Sequence, residues 1–133
     1  MTLLVRSEDF ESEVSREQRP VLLACFYGET ELRTQLRVVE NVSEGYKDTL
    51  KICVIDEDSL STLREALGIV GTPTFLIFHQ GEEKSRILGH VDRETLSAFV
   101  RQTLRQLSRV SESKQSTAQL SEKMTWRHNA VQR

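Results

Sequence analysis

The chain has 133 residues, 38% hydrophobic and 29% charged, with two prolines, six glycines and two cysteines. That length allows one domain-sized core and excludes two. Eighteen basic against twenty acidic residues leave a formal charge of −2, which points to neither nucleic acid nor a membrane surface as partner.

In chain order, Thr2 to Val5 reads as a short strand. Ser7 stands at a helix N-cap with Glu8 and Asp9 in the first turn, and this helix, with Phe10 and Val14 on one face, stops before Pro20. Val21 to Tyr27 is continuously apolar, as a strand covered on both faces should be, and Gly28 breaks it. A helix from about Glu31 to Glu44 carries Leu32, Leu36, Val39 and Val42 on one face, and Gly45 ends it. Lys51 to Asp56 is a second buried strand. Asp58 or Ser59 then caps a helix bearing Leu60, Leu63 and Leu67, closed by Gly68. Thr74 to His79 and Lys84 to Leu88 form a hairpin through Gln80-Gly81-Glu82. Asp92 caps the last helix, whose apolar face is Leu96, Phe99, Val100, Leu104 and Leu107. This order predicts an α/β fold whose mixed sheet has a parallel part and an antiparallel edge.

The charge is unevenly placed. Residues 1–107 hold 13 basic and 18 acidic residues, a balance of −5, whereas 108–133 hold 5 and 2, a balance of +3. The expected division is therefore an acidic domain over 1–107 and a basic, Ser/Gln-rich tail over 108–133, either disordered or partly helical. Apolar runs such as Val21 to Tyr27 fall far below the roughly 20 residues of a membrane span, and the amino terminus lacks the apolar stretch of a signal peptide. A cytoplasmic protein with no membrane partner is expected.

Three motifs stand out over about Leu3 to Leu107: the buried strand Val21 to Tyr27 running straight into a helix, Val70-Gly71-Thr72-Pro73-Thr74-Phe75, and Gln80-Gly81-Glu82 with Leu88-Gly89. Together with the order of elements they resemble the thioredoxin family. The resemblance implies a three-layer fold, a central mixed sheet with flanking helices, followed here by a flexible C-terminal tail. It also implies a cis peptide before Pro73 and a partner segment pairing with the Thr72 backbone as an added strand.

The family's dithiol is missing. Its Trp-Cys-Gly-Pro-Cys falls on Glu29-Thr30-Glu31-Leu32-Arg33, with Thr30 and Arg33 where the two cysteines would be. A hydroxyl cannot replace a thiolate, because exchange proceeds only through sulfur. The buried carboxylate that assists proton transfer in many family members falls on Ala24. No catalytic residue, cofactor or metal is therefore expected.

The remaining candidates carry simpler readings. Cys25 and Cys53 lie in apolar strands that the family order makes neighbours, so strand spacing alone permits a disulfide, while two reduced core thiols are the plainer account. His79, His90 and His128 lack ligand spacing, and Asp56-Glu57-Asp58 suits helix capping. Glu29 and Glu31 fit a helix N-terminus, where each acid contributes about 0.3–1 kcal/mol, and they also make the groove rim negative. Met124, Trp126 and Arg127 in the tail form a docking motif, a segment returning to the acidic domain, or plain disorder.

The expected function is a redox-inactive, thioredoxin-like protein acting as chaperone, assembly factor or adaptor. It would bind another protein, or an extended peptide segment, at Gly28, Glu29, Thr30, Glu31, Thr72 and Pro73. The alternatives are thiol–disulfide exchange through Cys25 or Cys53, and a structural subunit anchored by the tail.

Overall fold

The computed structural model describes residues 2–123, with side chains as far as Arg109. The chain divides into two compact units, Met1–Thr103 and Leu104–Arg133. The first holds a five-stranded sheet with helices around it. Its strands are β1 (Thr2–Leu4), β2 (Val21–Cys25), β3 (Lys51–Ile55), β4 (Thr74–His79) and β5 (Glu82–Leu88). Their spatial order is β1-β3-β2-β4-β5. β3 pairs in parallel with β1 and β2, while β4 runs antiparallel to β2 and β5. The mixed sheet read from the element order is the one observed.

β2 is buried at all five positions, which is why its sequence shows no alternation. Its odd-numbered residues Val21, Leu23 and Cys25 join Cys53, Ile55, Leu76 and Phe78 in one core cluster. Helix α2 (Glu57–Leu67) adds Leu60 to it, with Leu63 and Leu67 packed against its edge. The opposite face holds Leu22, Ala24, Ile52, Val54, Phe75 and Ile77, all buried. Helices α1 (Glu29–Ser43) and α3 (Arg93–Lys123) bury Val39, Val42, Leu96 and Val100.

Several boundaries differ from the sequence expectation for definable reasons. The segment after β1 is not an α-helix: a 3-10 turn, Ser7–Asp9, leads into a π turn, Glu11–Ser15, and Ser7 caps neither. So short a run holds its shape by tertiary contact. Phe10 meets Phe78 edge-on at 5.8 Å, Val14 is buried, and the Lys51 ammonium donates to the Glu13 carbonyl at 2.9 Å. Helix α1 starts two residues early, at Glu29, and ends at Ser43, with Gly45 inside the 3-10 turn Glu44–Tyr46. Asp56, not Asp58 or Ser59, caps α2, accepting the Ser59 N–H at 3.2 Å. β5 begins two residues early because Gln80 and Gly81, both at positive φ, make the whole turn. Asp92 caps α3 as expected, accepting the Thr95 N–H at 2.7 Å.

The second unit is helical in backbone through Lys123. Met124, Trp126, Arg127 and His128 lie outside the described residues. Among the described residues no helix is long and apolar enough to cross a membrane.

The N-terminal ends of β2 and β3 carry an ionic cluster. Lys51, only 15% exposed, donates to Glu13 Oε1 at 2.6 Å and lies 3.5 Å from Glu17 Oε1. Arg19 grips Glu17 through its side chain at 2.9 Å and its backbone N–H at 3.1 Å. Those two bonds hold the Glu17 carboxyl down to about 2, well below 4.5. A carboxyl lowered by folding stabilises the fold above its unfolded value and loses that contribution as pH falls toward the folded one. The Glu17→Gln variant is therefore expected to be less stable than the parent near pH 7. Urea unfolding should show that gap closing between about pH 4.5 and pH 2.

Candidate functional site

Strand register brings three loops together at one end of the sheet. Cys25 pairs with Thr74, and Thr74 with Leu88. Continued past the strands, that register sets Phe26 and Tyr27 beside Pro73 and Thr72, with Gly89 on their other side. A Gly89 N–H bond to the Pro73 carbonyl, 2.8 Å long, closes the last gap.

Each loop has its own support. Gly28, at φ +87°, lets the chain leave β2 and enter α1 in one step, and its carbonyl accepts the first helical bond, from Leu32. The Glu31 carboxylate turns back and accepts the Tyr27 N–H at 2.7 Å, in the manner of a capping box. Glu31 is thus committed to the helix start, whereas Glu29 and Thr30 stay exposed. In the second loop the Thr72–Pro73 peptide is cis, and Thr74 Oγ1 donates to the Gly71 carbonyl at 2.6 Å. The Thr72 N–H and C=O have no hydrogen-bond partner among the described residues. Pro73 is buried and Thr72 half-buried.

The third loop is fixed by a residue that periodicity did not single out. Gln35 is buried in α1 and reads the Val91 backbone with both ends of its amide. Its Nε2 donates to the Val91 carbonyl at 3.2 Å, and its Oε1 accepts the Val91 N–H at 3.0 Å. The available signal was a polar residue between Leu32 and Val39 on a stripe of otherwise apolar spacing. Tyr27, Val70 and Leu88 were also missed. They are 58%, 81% and 54% exposed and stand on the three segments around Thr72, making an apolar rim.

The family model described as Thioredoxin matches residues 1–102. The chain belongs to the thioredoxin family. Its relatives include the thioredoxin of Pyropia yezoensis, 30% identical over 97 residues, which cover 71% of this chain and 89% of that protein. The thioredoxin of Griffithsia pacifica is 30% identical over 90 residues, covering 65% and 81% of the two chains. That of Pseudomonas aeruginosa is 26% identical over 99 residues, covering 72% and 90%.

Within this thioredoxin fold the start of α1 holds no sulfur. Thr30 is exposed, its carbonyl accepting the Thr34 hydroxyl at 3.0 Å, and Arg33 lies 3.8 Å from Glu29. Beneath the turn Ala24 is wholly buried, so the strand presents a methyl group there. Both cysteines are free and fully buried. Burial pushes the Cys25 thiol up to about 12, against a small opposing effect of Arg86, and the Cys53 thiol up to about 11. Neither is a thiolate at neutral pH.

Nor are the two thiols placed to bond each other. Cys25 faces Ile55 and Cys53 faces Leu23, a two-residue offset along parallel strands. Two rises of about 3.3 Å and a strand spacing of about 4.8 Å separate their Cα atoms by about 8 Å, beyond disulfide reach. The strand spacing that permitted a bond is thus overruled by register. His79 is half-buried and His90 exposed, and the described residues contain no group of His, Cys, Asp and Glu disposed to hold a metal.

Two outcomes follow from this geometry. Gln35→Leu strands the buried Val91 N–H and carbonyl, and urea unfolding should register a loss of about 1–3 kcal/mol. A thiol reagent at pH 8 should leave Cys25 and Cys53 unmodified in the native protein and titrate both in denaturant.

Proposed function

We propose that this protein binds an extended segment of another protein at its groove and performs no thiol–disulfide exchange. The groove comprises Gly28, Glu29, Thr30, Glu31, Thr72 and Pro73. The observation that carries this reading is the first turn of α1, where Thr30-Glu31-Leu32-Arg33 stands in place of a dithiol. Exchange passes only through thiol and disulfide sulfur, and the chain's two thiols are buried with raised pKa values.

Binding is supported by what the groove leaves open. Thr72 offers one free donor and one free acceptor, the main-chain pair that an added strand uses. Tyr27, Val70 and Leu88 supply apolar contact beside it. Glu31 contributes by shaping the turn, and Glu29 and Thr30 by facing the partner. Such a module suits a chaperone, assembly or adaptor role. A reducing, cytoplasmic setting accords with two cysteines that remain unpaired.

Membership of the family favours a second reading, thiol–disulfide exchange through Cys25 or Cys53, and one assay separates the two. Insulin reduction with a thioredoxin reductase and NADPH should show no turnover above the reductase blank. Turnover that disappears in Cys25→Ser or Cys53→Ser would establish the second reading instead. On an array of extended peptides, Val70→Glu should weaken binding at unchanged thermal stability, because that side chain lies almost wholly in solvent.

A further inference from the structure

A second depression adjoins the groove across the Tyr27–Gly28 segment. It is a cleft of about 220 Å³ where α1 and α2 both begin. Phe26 and Leu32 supply its apolar lining, and Glu29, Asp56, Glu57 and Asp58 its acidic rim. These acids are poorly balanced. Among the described residues no cation pairs with Asp56, Glu57 or Asp58, and Glu29 meets only Arg33, at 3.8 Å with both side chains well exposed. Asp56 is held in place by its cap bond to Ser59, so the rim has one fixed and several adjustable carboxylates.

An apolar lining under a negative rim matches one class of side chain. Lysine and arginine lay their methylene stems along apolar surface and keep the charged head among acceptors. We propose that this cleft takes a lysine or arginine side chain of the segment bound along Thr72. The inference rests on the groove-binding reading above and adds a sequence preference to it.

The sheet order sets the spacing of that preference. Thr72 leads into β4, Phe26 to Gly28 follow β2, and Asp56 follows β3, three adjacent strands in the order β4-β2-β3. From Thr72 to Asp56 is therefore two strand spacings, about 10 Å. An extended chain covers that distance in about three residues. Side chains of an extended segment alternate faces, so the partner carries an apolar residue against Tyr27, Val70 and Leu88 and a cation two or four positions away on the same face. Acidic segments and nucleic acid are disfavoured by the same rim.

The test is a peptide array probed with the full-length protein. Each peptide carries one phenylalanine and, two or four positions away, lysine, norleucine or glutamate, the other positions being randomised. Lysine peptides are expected to bind about fivefold better than norleucine peptides at low salt, with the advantage shrinking as salt rises. In a Glu57→Gln, Asp58→Asn variant that ratio should fall to near one while norleucine peptides still bind. If the double variant loses its thermal transition, Asp58→Asn alone serves the same comparison. Equal binding of lysine and norleucine peptides by the parent, or a ratio that survives the substitutions, overturns the cation preference and leaves the groove standing. Binding of no peptide at all overturns the groove reading and the preference together.

Discussion

The register of β2 is the constraint on which the rest of this structure depends. The strand is buried on both faces and paired on both edges, parallel to β3 and antiparallel to β4. A slip of one residue would exchange Leu22 and Ala24 for Leu23 and Cys25 across the sheet, so the register is strongly specified. Every loop at the C-terminal end of β2 inherits its position from that alignment. Tyr27 and Gly28 emerge beside Thr72 and Pro73, Asp56 emerges on the other flank, and β4 carries the position on to Leu88 and Gly89. Local bonds then trim what the sheet has placed. Glu31 fixes the first loop, Gly89 the second, and Gln35 the third.

The two ends of the sheet use charge differently. At the N-terminal ends of β2 and β3, Lys51 and Arg19 meet Glu13 and Glu17, so the carboxylates there are neutralised by hydrogen-bonded cations. At the opposite ends, Glu29, Glu57 and Asp58 face solvent beside two helix N-termini, whose partial positive charge is their main compensation. Opposite-charge pairs bind the N-terminal segment to the sheet, while the acids at the other end lie exposed.

Much of the fold was legible because it is written in local signals. Continuous apolar runs marked β2 and β3, Gly68 and Asp92 marked helix ends, and the Gln80-Gly81 pair marked a turn. What was illegible depended on contacts distant in sequence. Ser7 reads as a good cap, yet the segment after it is held by Phe78 and Lys51, partners far along the chain. Gln35 looks like an intrusion on an apolar stripe until Val91, 56 positions on, supplies both halves of its hydrogen bonding. The exposure of Tyr27 and Val70 is likewise invisible in apolar patterning, since periodicity cannot distinguish a buried strand end from one turned outward. Groove residues on the Thr72 side were readable through family resemblance alone, because spacing carries no sign of a cis peptide.

Ala24 has a consequence of its own. In many members of this family a carboxyl group sits in the strand below the catalytic turn, and removing it from water lifts its pKa. Here the same place holds a methyl group in full burial, opposite Val54 and Phe75. The interior beneath the groove therefore stores no proton and undergoes no ionisation between acid and neutral pH. The sheet below the three loops is thus an inert floor, and the charge at this end of the molecule is confined to the loops and helix starts above it.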